Sequence, residues 1–202
     1  ITNATLTVDN EKLWKPNKIY AYDIGPGNCL IDEWIRKNSK NNYDRDGLIA
    51  GSGKIDKLIL NQALDNFSSF TNYEQSLDIK DFNINFAKGL SLENGASTIT
   101  EFTTKIIVDG MNYIISKSEV SDNTWLVCGG GRKNKYLLER IRKNFKKLNL
   151  VPIEKYSIDG DYIESQAFAF LAIRSLLNMP ISFPSTTRCK EPLTGGIIVD
   201  NY

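Results

Sequence analysis

No histidine occurs anywhere in the 202 residues. That absence excludes Ser-His-Asp and Cys-His nucleophile systems, histidine-ligated metal sites and every histidine general base. Proton chemistry must fall to a carboxylate, or to a shifted Lys, Tyr or Cys. Cysteine is nearly as scarce: Cys29, Cys128 and Cys189 stand far apart and form no Cys-x-x-Cys pair. An odd count without metal spacing argues against a zinc site and against a disulfide framework. The three read as small apolar fillers in a reducing compartment, most simply the cytoplasm. No apolar run approaches the roughly 18 residues that span a bilayer. No charged n-region with an apolar h-region opens the chain either. An excess of one charge is also missing, since 25 Lys and Arg stand against 24 Asp and Glu, a net charge of +1. That balance gives no global attraction toward nucleic acid, membrane or acidic ligands.

What is present is an ordinary globular composition. Hydrophobic residues make up 41% and charged residues 24%, enough to bury a core within a single domain over residues 1–202. The first residue is Ile1, and Ile1 to Val8 already reads as a strand. A strand at a terminus pairs with something before it, so part of the natural protein is expected upstream.

The alternation of Leu6-Thr7-Val8, a polar stretch to Lys18 and then Ile19-Tyr20-Ala21-Tyr22 predicts a β-hairpin with a long connection. Asp23 to Gly27 is a tight turn, after which Cys29, Leu30, Ile31, Trp34 and Ile35 recur at helical spacing. Residues 38–53 read as a loop. A helix is expected over 55–66 with Leu58, Ile59 and Ala63 inward, and residues 67–96 read as irregular. Thr98 to Lys117 is the clearest long helix, opened by the capping box Thr98-x-x-Glu101. Trp125 to Cys128 predicts a buried strand feeding Gly129-Gly130-Gly131. A helix over 134–148, a strand over 150–153 and a helix over 161–178 complete the pattern. The last helix is apolar nearly all round, which marks it as central to the packing. The tail from Pro180 should lie over the surface. Strands alternating with helices give an α/β class.

Three segments can carry chemistry. In Asp23-Ile-Gly-Pro-Gly-Asn28 an aspartate closes a strand before a glycine turn, where α/β sheets collect ligands. Its carboxylate there could take a proton from water or a hydroxyl. Equally, Asp23 forms an Asx-turn and Asn28 caps the following helix. In Val127-Cys-Gly-Gly-Gly-Arg-Lys-Asn134 a strand, a triple glycine and a helix make a surface on which a nucleotide can lie. This is neither a dinucleotide fingerprint nor a Walker loop, and close packing alone also accounts for the glycines. In Asp161-Tyr-Ile-Glu164 a capping box accounts for both acids, and a functional Glu164 would have to face the cleft instead. Residues 132–147 hold eight Lys or Arg, but Leu137, Leu138, Ile141, Phe145 and Leu148 recur at helical spacing. The bases therefore occupy a solvated face, not a nucleic-acid footprint.

Taken in order, these motifs resemble the C-terminal half of the anhydro-N-acetylmuramic acid kinases, of the actin/Hsp70/sugar-kinase superfamily. The likeness is carried by Tyr22-Asp-Ile-Gly-Pro-Gly-Asn28, Asp44-Arg-Asp-Gly47 with Gly51-Ser-Gly53, and Ser76-Leu-Asp78 with Phe82. It continues through Leu92-Glu-Asn-Gly-Ala-Ser-Thr98, Val127 to Asn134, Gly160-Asp-Tyr-Ile-Glu164 and Pro184-Ser-Thr-Thr187. Three positions depart from the pattern. Arg188 stands where a glycine follows the Thr-Thr pair, Ser165 replaces an alanine, and Gln75 occupies a place that is often lysine.

The resemblance implies a ribonuclease H-like C-terminal lobe, a mixed sheet flanked by helices. It implies phosphorylation of 1,6-anhydro-N-acetylmuramic acid by ATP with Mg²⁺, coupled to hydrolytic ring opening, in peptidoglycan recycling. By resemblance Asp23 is the general base, and Gly25, Gly27, Asn28 and Glu164 lie on the sugar. Gly129, Gly130, Gly131 and Asn134 would lie on the nucleotide. The N-terminal lobe with its Gly-Thr-Ser-x-Asp-Gly phosphate loop has no counterpart in these residues. An N-terminal kinase lobe or a homodimer partner is therefore expected, and no nucleic acid or membrane. The alternative is a non-catalytic remnant or binding module from a split or decaying gene.

Overall fold

The computed structural model describes residues 1–7, 19–68, 75–117, 124–145 and 148–199. β1 (Thr2–Thr7) pairs antiparallel with β2 (Ile19–Gly25), as the alternation predicts, while Val8 and the polar connection lie outside the described residues. β3 (Thr124–Val127) pairs in parallel with β4 (Asn149–Pro152), and α5 (Lys135–Asn144) makes the crossover. Parallel neighbours require such a connection because a tight turn cannot reverse the chain twice. Among the described residues the strands make two separate two-stranded ladders rather than one continuous mixed sheet. Edge exposure follows: β3 was expected to be buried, yet Leu126 is 51% exposed.

The packing centre is α4 (Leu92–Lys117), which touches α1 (Cys29–Asn38), α2 (Leu48–Ser52), α3 (Lys57–Ser68), α5 and β2. It starts six residues before the expected capping box, so Thr98 and Glu101 lie inside the helix. Ser97, Thr98, Thr100, Glu101, Thr103 and Thr104 are all buried. Their polarity is absorbed locally. The hydroxyls of Thr98, Thr100 and Thr104 donate to the carbonyls of Asn94, Ala96 and Thr100, each at 2.8 Å. Such i−4 bonds let a helix bury threonine without stranding a donor; Thr103 Oγ1 alone stays without a partner. Glu101 meets Arg140 Nε of α5 at 2.6 Å and also accepts from Asn144 Nδ2 at 3.2 Å. The carboxylate raises the Arg140 pKa.

Other expectations fail for identifiable reasons. Residues 38–53 are not all loop: Asp44 accepts from the amides of Ile49 and Ala50 and so starts α2. In α3 the buried stripe runs through Leu60 and Ala63, with Leu64 and Phe67 packed beside it, whereas Leu58 is 81% exposed. Two residues are about 200° of helical rotation, so Leu58 faces away from Leu60. Cys29 is half-buried against the core, as expected of a filler, whereas Cys128 is exposed and Cys189 half-buried outside it.

The largest correction concerns α6 (Ile163–Leu176). Expected at the centre, it has no buried residue, and Phe168, Phe170, Ile173 and Leu176 are each more than half exposed. Apolarity all round shows only that a helix suits burial; what packs on it is decided elsewhere. The tail then returns, with α7 (Pro184–Thr187) lying on β2. The basic run behaves as expected: Leu137, Leu138, Ile141 and Phe145 of α5 and its following turn face the core. Among the described residues no helix is long and apolar enough to cross a membrane.

Ile106→Ala is expected to lower unfolding free energy by about 3 kcal/mol, whereas Phe168→Ser should shift it by under about 0.5 kcal/mol. Urea titrations of the two variants check the contrast.

Candidate functional site

Asp23 sits near the end of β2, opposite Asn3, and the register slips between Thr2 and Asn3 so that Ile24 is an extra residue. A bulge of this kind re-aims the side chains around it. Half-buried Asp23 accepts on Oδ2 from Ser76 Oγ and the Leu77 amide, each at 2.9 Å. It is therefore held by the 76–77 segment and does not form the Asx-turn that local reading allowed. Around it opens a cleft of about 270 Å³, lined also by Tyr22, Ser76, Thr186, Thr187 and Arg188. Arg188 ends α7 at φ 57, the left-handed region that favours glycine, and its guanidinium lies 5.4 Å from the Tyr22 ring centroid. Gln75 lines the same cleft, so two of the three departures from the family pattern gather at Asp23.

Gly25 and Gly27 are buried in the turn that follows. An ideal Cβ at Gly25 would sit 3.0 Å from Ile107, so its hydrogen lets β2 lie close on α4. Asn28 opens α1 without a side-chain cap; its Oδ1 instead accepts from Asn134 Nδ2 at 3.2 Å. Asn134 is 4% exposed, and its Oδ1 accepts the Leu137 amide at 3.0 Å as the N-cap of α5. One buried amide thus joins the Asp23 turn to the triple-glycine turn. That link spans 106 residues of sequence and no local pattern announces it.

Gly129 adopts φ 71 with ψ −176, a conformation open only to glycine, and Gly130–Lys133 forms a 3-10 turn. Beneath it Arg132 and Lys133 bind Asp161 at 2.8 and 2.7 Å, and Arg132 also binds Glu154 at 2.5 Å. The expected cap at Asp161 is absent for that reason: its carboxylate is engaged by cations, and Tyr162 opens α6 without a side-chain bond. Glu164 stands exposed in the first turn of α6, and no hydrogen bond joins it to Asp23. The sequence singles out Asp23, Asn28, Asn134 and the glycines as candidates, and it does not show that Ser76, Thr186, Thr187 and Arg188 neighbour Asp23. Only the motifs containing them were visible. Among the described residues no group of three or more Cys, Asp or Glu gathers as a metal site.

Asn134→Ala removes both a cap and the bridge, and should cost about 1–2 kcal/mol in a urea titration. The hydrogen bonds from Arg132 and Lys133 hold the Asp161 carboxyl down at about 2. A depressed carboxylate adds stability above its unfolded pKa and loses it as pH falls through the folded value. Asp161→Asn should therefore melt earlier than the unaltered chain at pH 6, with the difference vanishing between about pH 4 and pH 2.

Comparison with known proteins gives one consistent result. A family model described as anhydro-N-acetylmuramic acid kinase matches residues 7–201. A protein of that name from Pelagibacter ubique is 47% identical over 204 residues, covering 100% of this chain and 53% of the relative. Namesakes from Brucella anthropi and Rhizorhabdus wittichii are each 38% identical, covering 90% and 89% of this chain and 47% and 48% of their own length. The chain spans about half the length of the curated relatives it matches.

Proposed function

The chain belongs to the anhydro-N-acetylmuramic acid kinase family, and we propose that it forms the C-terminal, ribonuclease H-like lobe of such a kinase. The reaction is transfer of the γ-phosphoryl group of ATP to 1,6-anhydro-N-acetylmuramic acid with hydrolytic opening of the anhydro bridge, in the cytoplasm. The product is N-acetylmuramic acid 6-phosphate. What carries the reading is one juxtaposition: Asp23 lines a cleft, and the turn after it is bonded through Asn28 and Asn134 to the open glycine turn.

Asp23 takes the proton of the water that attacks the anomeric carbon. The bridging bond from that carbon to oxygen breaks, and the freed oxygen on the sixth carbon attacks the γ-phosphorus as ADP leaves. Ser76 Oγ and the Leu77 amide fix the base in place. Gly25, Gly27 and Asn28 with Glu164 face the sugar. Gly129, Gly130 and Gly131 lie against the nucleotide, and Asn134 shapes their turn. Magnesium accompanies the triphosphate and offsets its charge, and no residue here is assigned to hold it.

In-line transfer requires the γ-phosphate to be clamped against the acceptor. We assign that clamp to an N-terminal lobe with a phosphate loop, or to a second copy, covering the bare apolar side of α6. Arg188, which brings a bulky cation into the Asp23 cleft, favours a second reading, a binding module that keeps the fold without the activity.

Mass spectrometry of the anhydro-sugar, ATP and Mg²⁺ with the purified chain separates the two, with an N-terminal lobe added in trans in a parallel arm. Product in either arm, reduced about 10²–10⁴-fold by Asp23→Asn, is the expected result. No product in either arm leaves the binding-module reading.

A further inference from the structure

Arg132 follows the triple glycine directly, and its side chain is only 10% exposed. Nε donates to Glu154 Oε1 at 2.5 Å, and Nη1 donates to Asp161 Oδ1 at 2.8 Å and to the Gly129 carbonyl at 2.9 Å. Asp159 Oδ1 lies 4.0 Å from Nη2. One guanidinium thus gathers three carboxylates from the segment after β4 together with the first glycine of the turn. The planar fork suits this task, because it points several N–H groups in fixed directions at once.

The backbone is built to admit it. The Gly129 amide donates to the Gly160 carbonyl at 3.1 Å, which ties the turn to the same segment. An ideal Cβ on Gly160 would fall 2.5 Å from Arg132 Nε and 2.9 Å from Glu154 Oε1, so a side chain there would push this ion pair out of its present position. Around its glycines the turn is open: an ideal Cβ on Gly129, Gly130 or Gly131 would meet nothing within 4 Å. A turn that is pinned by side chains yet open around its glycines leaves backbone free for a ligand.

Charge raises a conflict at this spot. Backbone N–H groups ahead of α5 favour an anion, yet Glu154, Asp159 and Asp161 would repel one. Arg132 and Lys133 resolve it by pairing with those acids. We propose that Arg132 is the positioning residue of the nucleotide seat: it fixes the 129–131 turn on the 154–161 segment and neutralises carboxylates that would repel a polyphosphate. This rests on the reading of the triple-glycine turn as the place where nucleotide lies.

The test compares the full chain with Arg132→Gln and Arg132→Lys by hydrogen exchange at the Gly129 and Asn134 amides and by calorimetric titration with Mg-ADP. Arg132→Gln should exchange about tenfold faster at both amides and bind ADP about tenfold more weakly. Arg132→Lys restores charge without the fork, so ADP affinity should partly recover while exchange stays fast. Should Arg132→Gln not fold, Glu154→Ala serves the exchange arm, because it removes the Nε partner and leaves the turn's sequence intact. Unchanged exchange overturns the clamp. Faster exchange with unchanged ADP affinity overturns its role in binding. Exchange that responds in a chain binding no ADP overturns the nucleotide reading of the turn and reduces Arg132 to a structural clamp.

Discussion

Burying α4 requires that most of its hydroxyls and the Glu101 carboxylate find partners without water, and the remaining architecture depends on how they do so. Sixteen of its 26 residues are buried, six of them polar. Three threonines settle the matter within the helix itself by bonding carbonyls one turn back. Glu101 cannot do so, and a lone buried carboxylate would be severely destabilising. Its partner Arg140 comes from α5, so the ion pair also fixes how the crossover helix lies across α4. With α5 fixed, Asn134 at its start is carried to Asn28, and the two glycine turns meet.

The two turns are held in different ways. The Asp23 turn is buried, with glycines that let strand and helix approach closely. The triple-glycine turn is exposed above and fastened below by an ionic cluster. Surface ion pairs contribute little when isolated, but Arg132 makes several bonds at once from a side chain largely shielded from water. Rigid support of this kind would suit the nucleotide role proposed for the turn, since any freedom left in it must be lost when a ligand arrives.

α6 stands apart from this economy of packing. Its apolar side chains face outward, and an exposed contiguous apolar helix marks a surface that something else covers. The curated relatives are about twice as long as this chain. A second body covering α6 would bury that apolar side.

The chain by itself determined a good deal. The lack of histidine left proton chemistry to a carboxylate or to a shifted Lys, Tyr or Cys. Alternation and periodicity located β1, β2, α1, α5 and most of α4, because those signals are local and the burial they report is one-sided. Glycines marked both turns proposed to carry function, since a backbone that must bend sharply or stay open shows its residue types directly. Tertiary structure alone decided which helix is central. Threonine-rich α4 is buried and apolar α6 is not, because burial depends on neighbours and not on the helix's own hydropathy. It likewise decided that Asp161 serves Arg132 rather than its own helix, that Asn28 reaches Asn134, and that Ser76, Thr187 and Arg188 surround Asp23. Each of these joins residues far apart along the chain, and only the folded path brings their atoms within hydrogen-bonding range.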